Sequence, residues 1–248
     1  QSKNFKWIMF GLRALLENYV ETGSMPTKSK FDFGPVNTLI SSNFVDKYRL
    51  RISGRTTANL NKHLFWKGYY AYGTQSQKHY YGTEITYSLN KKKNVPFEFP
   101  QRNITFETGY DVMSPADKFL IHNKDNIFMS LRTQKVEQMY FYNRQKLSFD
   151  YETDWGFSLS TSIKAESNRP TGDLVFKKMP GAITNPAADG NEYVGRIRTT
   201  ELKLGLRYCP GQTFINTKQQ RWPVNLDAPE FTLSHTVGLN NVLGGQYK

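Results

Sequence analysis

Trp155 to Glu166 reads WGFSLSTSIKAE. On a strand, side chains alternate between two faces. Trp155, Phe157, Leu159, Thr161, Ile163 and Ala165 then share one face, and Gly156, Ser158, Ser160, Ser162, Lys164 and Glu166 share the other. A run of about eleven alternating residues is long for a globular strand, where roughly five or six is usual. It matches the roughly 9–11 tilted residues with which a β-strand crosses a bilayer. The polar face is rich in Gly and Ser, as suits a hydrated lumen, whereas the water-facing side of a soluble sheet favours Lys, Glu and Thr. Taken alone, the stretch also fits a sandwich strand. Repetition elsewhere has to decide.

The chain has 248 residues, enough for one large β-domain or two small ones. Mean hydropathy is −0.62 and no run approaches the 18 apolar residues of a transmembrane helix. A transmembrane barrel is compatible with that value, because only alternate residues face lipid. Aromatics make up 15%, which favours strands and interfacial girdles. With one cysteine, Cys209, no intrachain disulfide can form. The net charge of +12 raises an anionic partner: nucleic acid, phosphorylated lipid headgroups or acidic glycans. The basic residues are scattered (Lys28, Lys30, Lys91 to Lys93, Lys177, Lys178), as in solvated loops. The N-terminus lacks the continuous apolar core of a secretory signal.

Phe5 to Val20 carries the one helical pattern, with Phe5, Ile8, Met9, Leu12, Leu15, Leu16 and Tyr19 recurring at three and four, ended by Gly23 and Pro26. Such a short amphipathic helix packs on a neighbouring domain or barrel mouth, or lies at a membrane surface. We assign residues 1–34 to this helix and a linker, and 35–248 to a barrel region. Within it, Tyr48–Thr57 alternates Tyr48, Leu50 and Ile52 with Arg49, Arg51, Ser53 and Arg55. Three arginines on one face are awkward against lipid and suit a polar lumen or an acidic partner strand. Further strands are expected at Leu64–Gly73, Tyr80–Leu89, Ile104–Tyr110, Asn126–Thr133, Val136–Tyr142, Lys146–Thr153, Thr200–Tyr208 and Phe231–Leu239, with a long loop over Ser167–Gly195. Roughly ten strands spaced as hairpins exclude an α/β architecture. Their repeated length favours a transmembrane antiparallel barrel over a soluble sandwich.

No catalytic, cofactor or metal site is expected. His63, His79, His122 and His235 lie far apart, without an HExxH motif or a cysteine pair. Asp111–Phe119, DVMSPADKF, lacks the spacing of a calcium loop and reads as a turn with Asx-type bonds. Adjacent Ser234 and His235 would point to opposite faces of a strand.

Four stretches go together: RLRISGRTTANLNKHLFWKGYYAYG (Arg49–Gly73), EFPQRNITFETGYDVMSPADKFLIHNKDNIF (Glu98–Phe128), LRYCPGQTF (Leu206–Phe214) and RWPVNLDAPEFTLSHTVG (Arg221–Gly238). They resemble a Bacteroidetes family of outer-membrane barrels catalogued as a domain of unknown function, whose members carry a carboxypeptidase-regulatory-like domain ahead of the barrel. The resemblance runs from about Phe31 onward. Cys209 stands where an RYAPGE-like motif has a small residue, and Gln212 at its acidic place. The resemblance implies a barrel and supplies no catalytic residues. Members continue past GLNNVLGGQYK, so the 248 residues are expected to form an incomplete sheet.

The expectation is therefore an integral outer-membrane barrel of the Gram-negative envelope, serving transport, assembly or scaffolding in a multi-protein complex. Trp155, Phe157, Leu159 and Ile163 should meet lipid, and Ser158, Ser160, Ser162, Arg49 and Arg51 the lumen. Expected partners are outer-membrane lipid, other envelope proteins and anionic headgroups, with no nucleic acid. The alternatives are a barrel enzyme or ligand-binding barrel working through loops or a further domain, and a basic soluble β-protein that stacks single-stranded nucleic acid on its aromatics.

Overall fold

A computed structural model describes residues 18–22, 29–119, 136–177, 193–217 and 221–246. Within these the chain is almost entirely antiparallel β. The strands are β1 (Val20–Glu21), β2 (Phe31–Phe33), β3 (Ile40–Asn43), β4 (Lys47–Thr56), β5 (Leu64–Gly73), β6 (His79–Ser88), β7 (Arg102–Met113), β8 (Gln138–Glu152), β9 (Phe157–Gly172), β10 (Ile197–Tyr208), β11 (Phe214–Asn216), β12 (Arg221–Pro223) and β13 (Phe231–Gly238). Eleven form one sheet in the order β1-β2-β4-β5-β6-β7-β8-β9-β10-β13, with β3 also on β4; β11 and β12 form a separate pair. The sheet is open. Among the described residues, β13 has β10 on one side and no strand on the other. No described helix is long and apolar enough to cross a membrane, which says nothing of strands.

Several expected boundaries shift. The two strands expected at Val136–Tyr142 and Lys146–Thr153 are one, β8, of 15 residues. Asn126–Thr133 and most of the Phe5–Val20 helix lie outside the described residues, and Val20 itself is in β1 rather than a helix. The sheet begins there, ahead of residue 35. Trp155 precedes β9 in the 153–156 turn, and β9 runs on to Gly172 through what read as loop. Pro170, inside the stretch expected as loop, cannot donate to a strand ladder. It is tolerated because β10 reaches only to Asn168, so the missing N–H has no partner to lose.

The two faces of the main sheet are inverted relative to a soluble protein. Leu50, Ile52, Leu147, Leu202 and Leu204 are 43–57% exposed, while Arg49, Asp111, Ser88, Glu166 and Thr86 on the other face are buried. That polar face is concave. Arg49 on β4 and Asp111 on β7 are three strand spacings apart, roughly 14 Å on a flat sheet, yet their side chains meet at 2.7 Å. A small apolar cluster, Ala71, Tyr80, Val112 and Met139, sits at the end of the sheet marked by Met113.

The exposed apolar band crosses the strands diagonally. Leu64 is in register with Tyr87, Ile104, Phe149, Thr161 and Leu204. On β5 the apolar positions run from Leu64 toward Tyr72; on β10 they run from Leu202 the opposite way along that register, to Tyr208. The row through Tyr70, Tyr81 and Tyr110 accordingly leaves the band and becomes Asn143, Ser167 and Arg198. A diagonal band is the pattern of strands tilted roughly 35–45° to a barrel axis.

Candidate functional site: the polar inner face

The inner face carries a row of charge in strand register: Glu21, Asp32, Arg55, Lys67, Glu84, Glu107, Lys146, Lys164 and Glu201. Signs change in pairs, so acids meet bases across alternate strand boundaries. The ion pairs are Arg55–Asp32 at 3.4 Å, Lys67–Glu84 at 3.7 Å, Lys146–Glu107 at 2.9 Å and Lys164–Glu201 at 2.8 Å. These groups are mostly part-exposed, and each pair contributes little alone. Together they cancel charge along the concave wall.

Toward the Met113 end the wall closes into a buried knot. Arg49 donates to both carboxylate oxygens of Asp111, at 2.7 and 2.9 Å, and reaches Asp46 at 3.4 Å. Tyr80 and Ser76 each donate to Asp46 at 2.6 Å, and Tyr69 donates to Asp111 at 2.5 Å. Two glycines make this possible. The Tyr69 ring lies across β6 at Gly82, where an added Cβ would stand 2.4 Å from it. At Gly73 a Cβ would stand 2.1 Å from Asp46 Oδ1. Beside the knot, a cavity of about 290 Å³ is lined by Arg51, Lys67, Glu84, Glu107, Tyr142 and Arg144. Arg51 stacks on Tyr69, 3.8 Å from the ring centroid.

At the other end, a chamber of about 690 Å³ lies between the inner wall and residues 212–214 and 221–230 of the connection after β10, lined by Asp150, Ser158, Ser160, Lys203, Arg207 and Arg221, among others. The β11–β12 pair fastens this connection down. Arg221 on β12 binds Glu152 at 2.7 Å, Phe214 packs on Phe99 with centroids 4.9 Å apart, and Asn216 exchanges hydrogen bonds with the Phe99 backbone. Arg207 pairs with Glu230 at 2.8 Å, which holds that carboxyl below its ordinary range.

The 89–101 connection that receives Phe214 is organised around buried Lys92. Its Nζ donates to the carbonyls of Glu98 and Pro100, both at 2.7 Å. Burial lowers this ammonium to about 8, against the opposing pull of Glu98 and Glu152. The unfolded chain holds the proton up to its ordinary value near 10.5. Between these values the unfolded state binds more protons, so stability rises with pH. The difference in unfolding midpoint between wild type and Lys92→Met should therefore shift in favour of wild type from pH 8 to 10. A flat difference across that window would contradict the assignment.

The residues singled out in the sequence separate as follows. Ser158 and Ser160 line the chamber, and Ser162 shares their face through register with Lys203 and Ser148. Arg49 is in the knot and Arg51 in the cavity beside it. Phe157, Leu159 and Ile163 are on the opposite face, in register with Tyr208, Leu206 and Leu202. Trp155 stacks on Phe157 from the turn, centroids 5.3 Å apart, and is 62% exposed. Sequence reasoning missed Asp46, Asp111 and Lys92 as functional positions. Asp111 is expected in a loop, but it lies inside β7, two residues before its end, and its alternation with Gly109 and Glu107 is the signal of that strand. His63 and His79 bond locally, to the Ser88 carbonyl and the Tyr70 hydroxyl. Among the described residues no group of His, Cys, Asp and Glu is placed to hold a metal ion.

The family model described as the C-terminal domain of a family of unknown function, DUF5686, matches residues 18–248. The chain belongs to this family. The match takes in every strand from β1 to β13, together with the knot, the charge row and the chamber. No curated protein and no solved structure matches the chain. What the DUF5686 domain does has to be argued from its own faces.

Proposed function

We propose that this DUF5686 domain is the membrane-embedded wall of an outer-membrane β-barrel, acting as an assembly or scaffold component of an envelope complex. The observation that carries the reading is the inverted sheet: an apolar exposed face running diagonally over tilted strands, with ions and hydroxyls gathered on the concave side. In water, so much contiguous apolar surface is a liability. In a bilayer it is the surface that lipid covers. A scaffold fits better than an open pore, because the interior is occupied. Charges are paired along the wall, the knot fills one end, and residues 212–214 and 221–230 cover the chamber at the other. The chamber lined by Ser158, Ser160 and Lys203 favours a second reading, a barrel that binds a small polar ligand.

The protein is expected to fold only in detergent or lipid. Refolding followed by circular dichroism, with and without detergent, checks this. A cooperative, monomeric β-domain in plain buffer would overturn the membrane assignment.

A further inference from the structure

Where the apolar band gives way on β9 and β10, three arginines come together. Arg198 lies on the exposed face of β10, two positions beyond Thr200 and four beyond Leu202. Ser167 is its register partner on β9, and Arg169 follows two residues further on the same face. Arg196 precedes β10. Together they line a hollow of about 450 Å³ with Asn143, Ser167 and Leu243. Glu166 also borders it, but its carboxylate is held at 2.6 Å by Arg144.

The turn after β13 builds the other wall. Leu239 N–H donates to the Thr200 carbonyl and Gln246 N–H to that of Arg198, so residues 239–246 fold back onto β10. Thr200 is buried beneath the turn and donates to the Val242 carbonyl at 2.7 Å. Gly244, at φ +82°, lies against the Arg198 side chain, where a Cβ would stand 3.7 Å away. The turn holds its apolar tip outward, with Leu243 71% and Val242 41% exposed. Guanidinium groups beside exposed leucine and valine, at the margin of an apolar band, match one ligand: a lipid whose phosphate meets the arginines while its acyl chains lie along Leu243 and Leu202. Planar guanidinium recognises phosphate bidentately, and basic groups at the membrane margin are drawn to anionic headgroups.

We propose that Arg169, Arg196 and Arg198 form a headgroup-phosphate site for an anionic membrane lipid, seated against the 239–246 turn. This rests on the membrane reading above, and the test separates the two. The full protein is inserted into nanodiscs of phosphatidylcholine mixed with phosphatidylglycerol, released into mild detergent, and its retained lipid identified by native mass spectrometry. Insertion is scored independently by the heat-dependent gel shift of folded barrels. Wild type should retain phosphatidylglycerol preferentially, and the preference should fall about fivefold for each arginine replaced by glutamine, the equivalent of about 1 kcal/mol per basic residue. Lys62→Gln, at an exposed position in the connection before β5, should leave it unchanged. Normal insertion without lipid preference, or with a preference the arginine variants keep, overturns the site alone. Failure to insert overturns the membrane reading with it. Displacement of the lipid by soluble inorganic phosphate alone would mean a phosphate site not built for lipid, and would also overturn the proposal.

Discussion

Leu159→Arg is expected to destabilise the protein by about 2–4 kcal/mol, and Ser160→Arg by distinctly less. The two residues are neighbours on β9 and point to opposite faces of one sheet. Leu159 is in register with Tyr151 and Leu206, within the apolar band. In a bilayer, an arginine there must stay charged in hydrocarbon or drag its head toward the interface. Ser160 is exposed, borders the chamber and is in register with Asp150 and Gly205. An arginine at that position has water, the space above Gly205 and an acid within one strand spacing. Urea titration in detergent or vesicles measures both variants. In a soluble protein the half-buried, outward-facing Leu159 would accept arginine at lower cost, so equal or reversed effects would show that the faces have been assigned inside out.

The architecture was legible because alternation survives translation into a sheet without knowledge of the partner strands. Leu64–Gly73 matches β5, and the strands expected at Tyr48–Thr57, Tyr80–Leu89, Ile104–Tyr110, Thr200–Tyr208 and Phe231–Leu239 fall within three residues of β4, β6, β7, β10 and β13, since period two is a local property. Three things were not local. Pro170 lies inside the stretch expected as loop, and only the shortness of β10 at that end explains its tolerance. The register of nine charged positions could not be read either. Glu84 and Glu107 look like ordinary polar positions until pairing puts Lys67 beside one and Lys146 beside the other. The knot was the least visible part. Arg49 was recognised as misplaced against lipid, which pointed to an interior, but its partner is 62 residues away. Alternation with Gly109 and Glu107 puts Asp111 on a strand, but nothing in the spacing marks it as the partner of Arg49.

Arg49→Met is expected to be the most damaging single change on the inner face, at about 3–5 kcal/mol. Arg49, Asp46 and Asp111 are all fully buried, and one guanidinium serves both carboxylates. Methionine keeps much of the volume and the stem packing but removes the guanidinium that meets both acids. Two carboxylates would then face each other's field in a site that excludes water, and must bind protons or admit solvent. Asp111→Asn should cost less. Arg49 would keep Asp46, and the asparagine oxygen could still accept from Tyr69, which lies 2.5 Å from the native carboxylate. The ranking can be checked by the temperature at which each variant loses its compact gel mobility. A double variant, Arg49→Met with Asp111→Asn, should be less damaged than the sum of the two, because the second change removes one of the charges the first leaves exposed. Strict additivity would mean that Arg49 and Asp111 do not act as a unit, and that β4 and β7 are held together by the backbone ladder of β5 and β6 alone.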